Sequence, residues 1–418
     1  MRITKKHLVD FSFWGILSIN LLYLNGLFTS FFKVPAFFSP FILVFCIFII
    51  FNTPKPKIYY NVFTILITFF VLYIFIGLLS YILYPENIHP KTSIFKLLRG
   101  YISSLLIYWA LYQYLINEYY TSGKQRLIII LHKASFLILF PLFFTVFGKQ
   151  LGLTEAMTYA KDYGDRQIGI FTNPNTTGLH ANYVLCFCLY SLISDRKGKL
   201  LWLLLIPACF YAAFLSLSKA AMLMATLNLL LYILFNLINF HRLKLSSKLI
   251  SIFSIAIIGF SSFYIYANFE KLVGGLSYAQ AGRIIDAIQI SQGNINDKTT
   301  SERSGIAELV FPMIKSHPIE GNGFGSFHRI IGHGLGVHNT ALLIIGESGI
   351  IPLILYLVFI LLFFLKSLKQ KEIGLKYLFV SVLTTYILIS FLTSHNALDE
   401  RISNVIIGIF LVLINIRR

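Results

Sequence analysis

The sequence predicts an all-α fold: a polytopic membrane bundle of about 12 transmembrane helices, capped on the outer face by short helices. Three observations carry that prediction. Of the 418 residues, 57% are hydrophobic and 12% charged, with a mean hydropathy of +0.75; a soluble chain carries about 25% charged residues. Apolar runs of about 20 residues, enough to cross a bilayer, recur from one end to the other. Lysine and arginine gather in alternate short loops, as the positive-inside rule demands of a multi-spanning chain.

The runs fall at roughly 11–32, 34–52, 59–84, 97–117, 128–148, 175–194, 200–217, 219–240, 249–268, 339–365, 376–394 and 404–416. The first follows a basic head (Arg2, Lys5, Lys6), is long enough to span, and lacks a small-residue cleavage site, so it reads as a retained helix and not a signal peptide. Basic clusters at Lys55 and Lys57, Lys124 and Arg126, Arg196 to Lys199, Arg242 to Lys248, Lys366 to Lys376, and Arg417 and Arg418 share one side. Both termini are therefore expected in the cytoplasm. Much of the +18 net charge is then topology, and nucleic acid is not an expected partner. Cys46, Cys186, Cys188 and Cys209 all lie in apolar runs, where free cysteine packs as a small hydrophobe; neither a disulfide framework nor a metal site is expected.

The chain reads as a single integral membrane domain, 1–418, with one large outer loop at 269–338 between the ninth and tenth spans. Ala279–Gln292 and Ser304–Ile314 alternate apolar and polar residues at helical spacing, the latter through Ile306, Leu309, Val310 and Met313. Residues 321–336, GNGFGSFHRIIGHGLG, are glycine-rich.

Basic residues on the outer face run against the positive-inside rule, and four stand out. Lys219 lies in LSLSKAAMLM, where one span turns directly into the next. A cation at a helix start opposes the dipole of that helix unless an anion is bound there. Arg303 heads the amphipathic segment ERSGIAELVFPMIKSHP; Glu302 and Glu308 stand at spacings that do not bring side chains together on a helix. Arg166 precedes the Asn-Pro-Asn turn in DRQIGIFTNPNTTG, and Arg99 sits near the start of the fourth span. Several cations on one membrane face suit a diphosphate, since arginine grips phosphate oxygens in a fork and lysine as a point charge. The outer acids form no D-x-D or H-x-x-H pattern, so a mechanism without metal or cofactor is the economical expectation.

The segment HNTALLIIGESGI opens the tenth span. Asn339 is suited to cap the helix. His338, beside the positive end of the helix dipole, is expected to stay neutral near pH 7 and so to accept a proton, as a general base must. Glu347 lies nine residues on and faces away from His338, so the two are not read as a dyad. A glutamate in an apolar helix must find a partner inside the bundle, which the sequence does not name.

In their order and topological placement these motifs resemble the bacterial O-antigen ligase and O-antigen polymerase superfamily. The matching features are NPNTTG before a span, LSLSKAA at the tight turn, the long outer loop with ERSGIAELVFPMIKSHPIEGNGFGSF, and the His-Asn…Glu-x-Gly pattern of HNTALLIIGESGI. The resemblance implies glycosyl transfer from an undecaprenyl-diphosphate-linked donor on the periplasmic or extracellular face of the bacterial inner membrane. It implies that His338 activates the acceptor hydroxyl and that Lys219 and Arg303 hold the diphosphate, with Lys219 standing where the family usually has arginine. Membrane lipids, a chain-length regulator and a flippase are the further partners it implies.

Two activities share that chemistry. A polymerase joins lipid-linked repeat units; a ligase moves finished glycan to a lipid A-core or other acceptor. The absence of extra soluble domains favours the polymerase. A flippase or other transporter is the third reading, disfavoured because no internal repeat is visible and the polar residues collect on one face.

Overall fold

The computed structural model describes residues 4–32, 36–57, 59–148, 168–171, 173–194, 199–242, 303–332, 336–392 and 397–415, with isolated positions between these ranges. Every regular element among the described residues is helical. The helices are α1 (Lys5–Leu21), α2 (Leu24–Phe32), α3 (Ser39–Asn52), α4 (Asn61–Leu83), α5 (Ile94–Leu137), α6 (Leu139–Phe147) and α7 (Pro174–Ile193). They continue with α8 (Lys199–Leu215), α9 (Lys219–Asn239), α10 (Arg303–Ser316), α11 (Thr340–Ser348), α12 (Ile350–Leu368), α13 (Ile373–Leu392) and α14 (Arg401–Leu413).

Five stretches among the described residues are long and apolar enough to cross a membrane: Asn61–Leu83, Ile94–Phe147, Pro174–Ile193, Lys219–Arg242 and Ile350–Leu368. Shorter apolar helices occupy Ser39–Asn52, Lys199–Leu215 and Arg401–Leu413. Large apolar side chains stand outward on them, Phe51 81% and Ile82 72% exposed, a surface suited to lipid and not to water. The four cysteines are free and buried.

Four expected spans differ in detail. The run at 11–32 is two helices, parted where Tyr23 takes φ of 53°. The 44 residues of α5 exceed the about 20 that one span needs, because α5 joins two helices across a kink. It is interrupted at Gly123 (φ 74°, ψ 179°), between the fourth and fifth expected spans. The run at 339–365 is broken at Gly349 (φ 77°, ψ −172°) into α11 and α12, so Glu347 belongs to a nine-residue helix ahead of the span. The run at 249–268 lies almost wholly outside the described residues, as does most of the helix expected over 279–292.

Gly123 and Gly349 share a backbone region open to little but glycine, at a cost of about 1–3 kcal/mol for other residues. They differ in surroundings. A Cβ on Gly123 meets nothing within 4 Å, whereas one on Gly349 would lie 1.7 Å from the Ile319 carbonyl oxygen. Gly349→Ala is therefore expected to lower the thermal unfolding midpoint in detergent well beyond Gly123→Ala. Equal midpoints would show that the chain at Ile319 yields without cost.

Contacts gather the chain into two compact units. One comprises Met1–Leu137, Asn296–Ser367 and Tyr386–Arg418; the other comprises Ile138–Ile295 and Leu368–Thr385. In the first, α5 packs on α3, α14 and α1. Asn404 of α14 donates to Ser104 (2.8 Å) and accepts from the Tyr108 hydroxyl (2.8 Å). In the second, α7 is buried almost throughout and packs on α8 and α9. A Cβ on Gly178 would come within 2.3 Å of the Ala221 side chain, so α7 and α9 approach as closely as a small residue allows. Asn182 donates to the Ala221 carbonyl (3.0 Å), and Asn228 to Thr385 (3.0 Å), polar pairs of the kind that join helices in lipid.

Candidate active site

The site in the first unit is built on one face of α4. Tyr73, Gly77 and Ser80 recur at spacings of four and three, which stack side chains in a single stripe. The stripe receives the glycine-rich loop. Gly77 presents its carbonyl to the Phe324 amide (2.8 Å), and Ser80 donates to the Glu320 carbonyl (2.6 Å). Tyr73 offers its carbonyl to the Ser348 hydroxyl (2.9 Å). A side chain on Gly77 would strike Ser348 and Phe324, so the absence of one is what lets the loop seat.

The loop is tied to α11 as well. The Asn322 and Gly323 amides donate to the Gly346 (2.7 Å) and Glu347 (3.2 Å) carbonyls. Beneath it, Ile306 and Val310 of α10 form a core with Phe327, Ile330, Val337 and Leu343, with Met313 packed against it. The amphipathic face expected of this segment is thus present. Leu309 departs from it and is 49% exposed, because it falls at the edge of the stripe that Ile306, Val310 and Met313 centre.

Glu347 is fully buried at the centre. Its Oε2 accepts from the Tyr73 hydroxyl (2.6 Å); its Oε1 accepts from the Gly325 amide (2.9 Å) and from His328 Nδ1 (2.8 Å). The partner missing from the sequence reading is therefore a set of three donors from α4 and the glycine-rich loop. Since a carboxylate only accepts, the Nδ1 proton is assigned to His328. The other ring nitrogen of His328 lies 3.5 Å from the Tyr101 hydroxyl.

Charge around His328 has an identifiable balance. Burial disfavours the imidazolium, but the charge and hydrogen bond of Glu347, with the Asp399 charge behind them, outweigh burial and hold its pKa above the usual histidine range. Burial raises Asp399, against the pull of His328, Arg401 and Lys96. Burial likewise pushes Glu400 up to about 7, helped by the Asp399 charge.

The residues singled out in the sequence fall as follows. Asn339 caps α11: its Oδ1 accepts from the Ala341 (2.9 Å) and Leu342 (3.0 Å) amides, and its Nδ2 donates to the Phe391 carbonyl (2.9 Å). His338 is half-buried, directly before that cap. Arg303 is the first residue of α10. Arg99 is exposed on the first turns of α5, and Arg401 at the start of α14 feels its charge. Arg166 lies outside the described residues, although the turn it precedes does form, Asn173 capping α7 with a 2.8 Å bond from the Asn175 amide.

Lys219 belongs to the second unit. It opens α9 behind the N-cap Ser218, and Leu217 (φ 47°) makes the tight turn. The anion that such a cation calls for is within the chain: Lys219 Nζ stands 2.7 Å from Asp286 Oδ2, with both side chains largely shielded. A diphosphate held by Lys219 would compete with that carboxylate. Asp286→Asn is accordingly expected to lower the KM for a lipid-diphosphate donor by about two- to fivefold, the scale of a partly exposed ion pair. Initial rates against donor concentration measure it, and an unchanged KM would remove Lys219 from the diphosphate site.

Residues 202–357 match the sequence profile of the O-antigen ligase family. Over that stretch, a little over a third of the chain, the sequence is similar to the O-antigen ligase family. The match takes in Lys219, Arg303, His328, His338, Asn339 and Glu347, whereas Arg99 and Arg166 lie outside it. No curated protein matches the chain.

Proposed function

We propose that this protein is a polysaccharide polymerase of the bacterial inner membrane, joining undecaprenyl-diphosphate-linked repeat units on the outer face. The observation that carries the reading is His338 at the capped start of α11, within the residues matched to the family. His338 takes the proton of the acceptor hydroxyl as that oxygen attacks the anomeric carbon of the donor. The bond from that carbon to the diphosphate breaks, its electron pair leaves with the diphosphate, and the configuration inverts. Lys219, Arg303, Arg166 and Arg99 are assigned to the departing charge, which fixed cations stabilise most where it develops. No metal enters this scheme. A chain-length regulator and a flippase would act beside it.

A ligase uses the same chemistry with a lipid A-core or other acceptor. Expression in a host that makes the matching repeat unit but lacks its own polymerase separates the two. A ladder of lengthening glycan on a gel is the expected outcome. Single units moved from the polyprenyl carrier to another acceptor would replace the polymerase reading with the ligase.

A further inference from the structure

The Tyr73–Glu347–His328 cluster contains none of the residues assigned to the reaction, yet it is wired to one of them. His328 reaches Glu347 through its ring, and the backbone at 327–328 touches residues 336–337, which lead into His338. The Phe327 carbonyl, one residue before His328, accepts from the Val337 amide (3.0 Å), one residue before His338. A Cβ on Gly336 would lie 2.2 Å from the His328 carbonyl oxygen, so 327–328 and 336–337 are in direct contact. A shift of the backbone that carries the His328 ring therefore acts directly on the residues that lead into His338.

We propose that His328 is a positioning residue: its charged hydrogen bond to Glu347 clasps the glycine-rich loop and so sets His338, firmly when the imidazole is protonated and loosely when it is neutral. Gly325 donates its amide to the same carboxylate oxygen, so the clasp holds the loop at two points. Among the described residues, the titratable and charged groups facing His328 come from α5, α11 and the turn before α14. They are Glu347 of α11, Tyr101 of α5 and Asp399 in the turn before α14; Tyr73 of α4 faces Glu347, and Lys96 and Arg401 face Asp399 in turn.

The direction of the pH effect follows from that balance. The folded chain holds His328 above its ordinary value despite burial, so the charged bond is fully present below the unfolded pKa of about 6.5. It is lost as pH rises through the folded pKa. The effect is thus an alkaline limb, in which transfer slows by about three- to tenfold as a charge-assisted bond becomes a neutral one.

The inference rests on the reading of His338 as the base, but its first readout does not. Wild-type protein in lipid nanodiscs is followed by amide hydrogen exchange over 321–338 from pH 6 to pH 9, corrected for the intrinsic rate. In parallel, transfer is measured with lipid-linked repeat units extracted from a producing strain. Loop protection and kcat are expected to fall together on the alkaline side, with donor KM little changed. His328→Gln keeps a donor towards Glu347 and does not titrate, so both limbs should flatten. Glu347→Gln removes the charge that opposes burial, so both limbs should move to lower pH. Loop exchange without an alkaline limb, or a wild-type limb in His328→Gln, overturns the proposal. If His328→Gln does not fold, the presence or absence of the Glu347→Gln shift decides it. A fully active His338→Ala variant would refute the base assignment while leaving the loop-exchange result standing.

Discussion

His338→Ala is expected to lower the transfer rate by about 10²- to 10⁴-fold, the range supplied by a positioned general base. It should do so without unfolding α11, because the helix cap is made by its neighbour: Asn339 Oδ1 holds the Ala341 and Leu342 amides. The contrast between the two adjacent residues makes the prediction specific. Asn339→Ala removes a cap, worth about 1 kcal/mol, and with it the bond to the Phe391 carbonyl. Its signature is a lower unfolding midpoint with a modest loss of rate. His338→Ala should show the reverse, a near-native midpoint with the rate almost gone. Initial rates of release of the polyprenyl diphosphate, beside thermal unfolding of both variants in the same detergent, measure the two quantities together. A His338→Ala protein that retains wild-type rates would leave the His-Asn pair as a helix start and nothing more.

Features set by a few neighbouring residues were legible in the sequence. Asn339 caps the helix it precedes, the Asn-Pro-Asn turn opens α7, Lys219 opens α9 after a tight turn, and the 304–314 segment is an amphipathic helix; caps, turns and periodicity are local. The break at Gly349 was not legible, because hydropathy summed along IIGESGIIPLI hardly responds to one residue's φ. What was missed at the site was long-range. Glu347 demanded partners, but Tyr73 is 274 residues away in sequence and His328 is 19. The usable signal was indirect: a carboxylate in an apolar run must find donors, and a glycine-rich loop offers backbone amides and close approach. Asp286 was one outer acid among several until its pairing with Lys219 distinguished it.

Glu347→Ala is expected to be among the most destabilising single changes in the first unit, at about 3–5 kcal/mol, the cost of removing one partner from a buried, charge-assisted cluster. Three donors lose their acceptor at once: the Tyr73 hydroxyl, the Gly325 amide and His328 Nδ1. The first two belong to groups with no access to water in their place, since Tyr73 is fully buried and Gly325 is buried in the loop. Glu347→Gln should cost far less, about 1 kcal/mol. An amide turned with its oxygen towards Gly325 and His328 keeps both of those bonds, and its NH2 then donates to the Tyr73 oxygen. The freed Tyr73 proton has a second acceptor in the Tyr101 hydroxyl, 3.3 Å away. Tyr73→Phe takes the donor from Glu347 Oε2 and leaves a buried carboxylate oxygen without it, at a cost of about 1–3 kcal/mol, so it should fall between Glu347→Gln and Glu347→Ala. The order of unfolding midpoints, wild type, then Glu347→Gln, then Tyr73→Phe, with Glu347→Ala far below, tests the network as a whole. If Glu347→Ala unfolds with Glu347→Gln, the buried donors are satisfied by other means, and the cluster is not what holds the glycine-rich loop on α4.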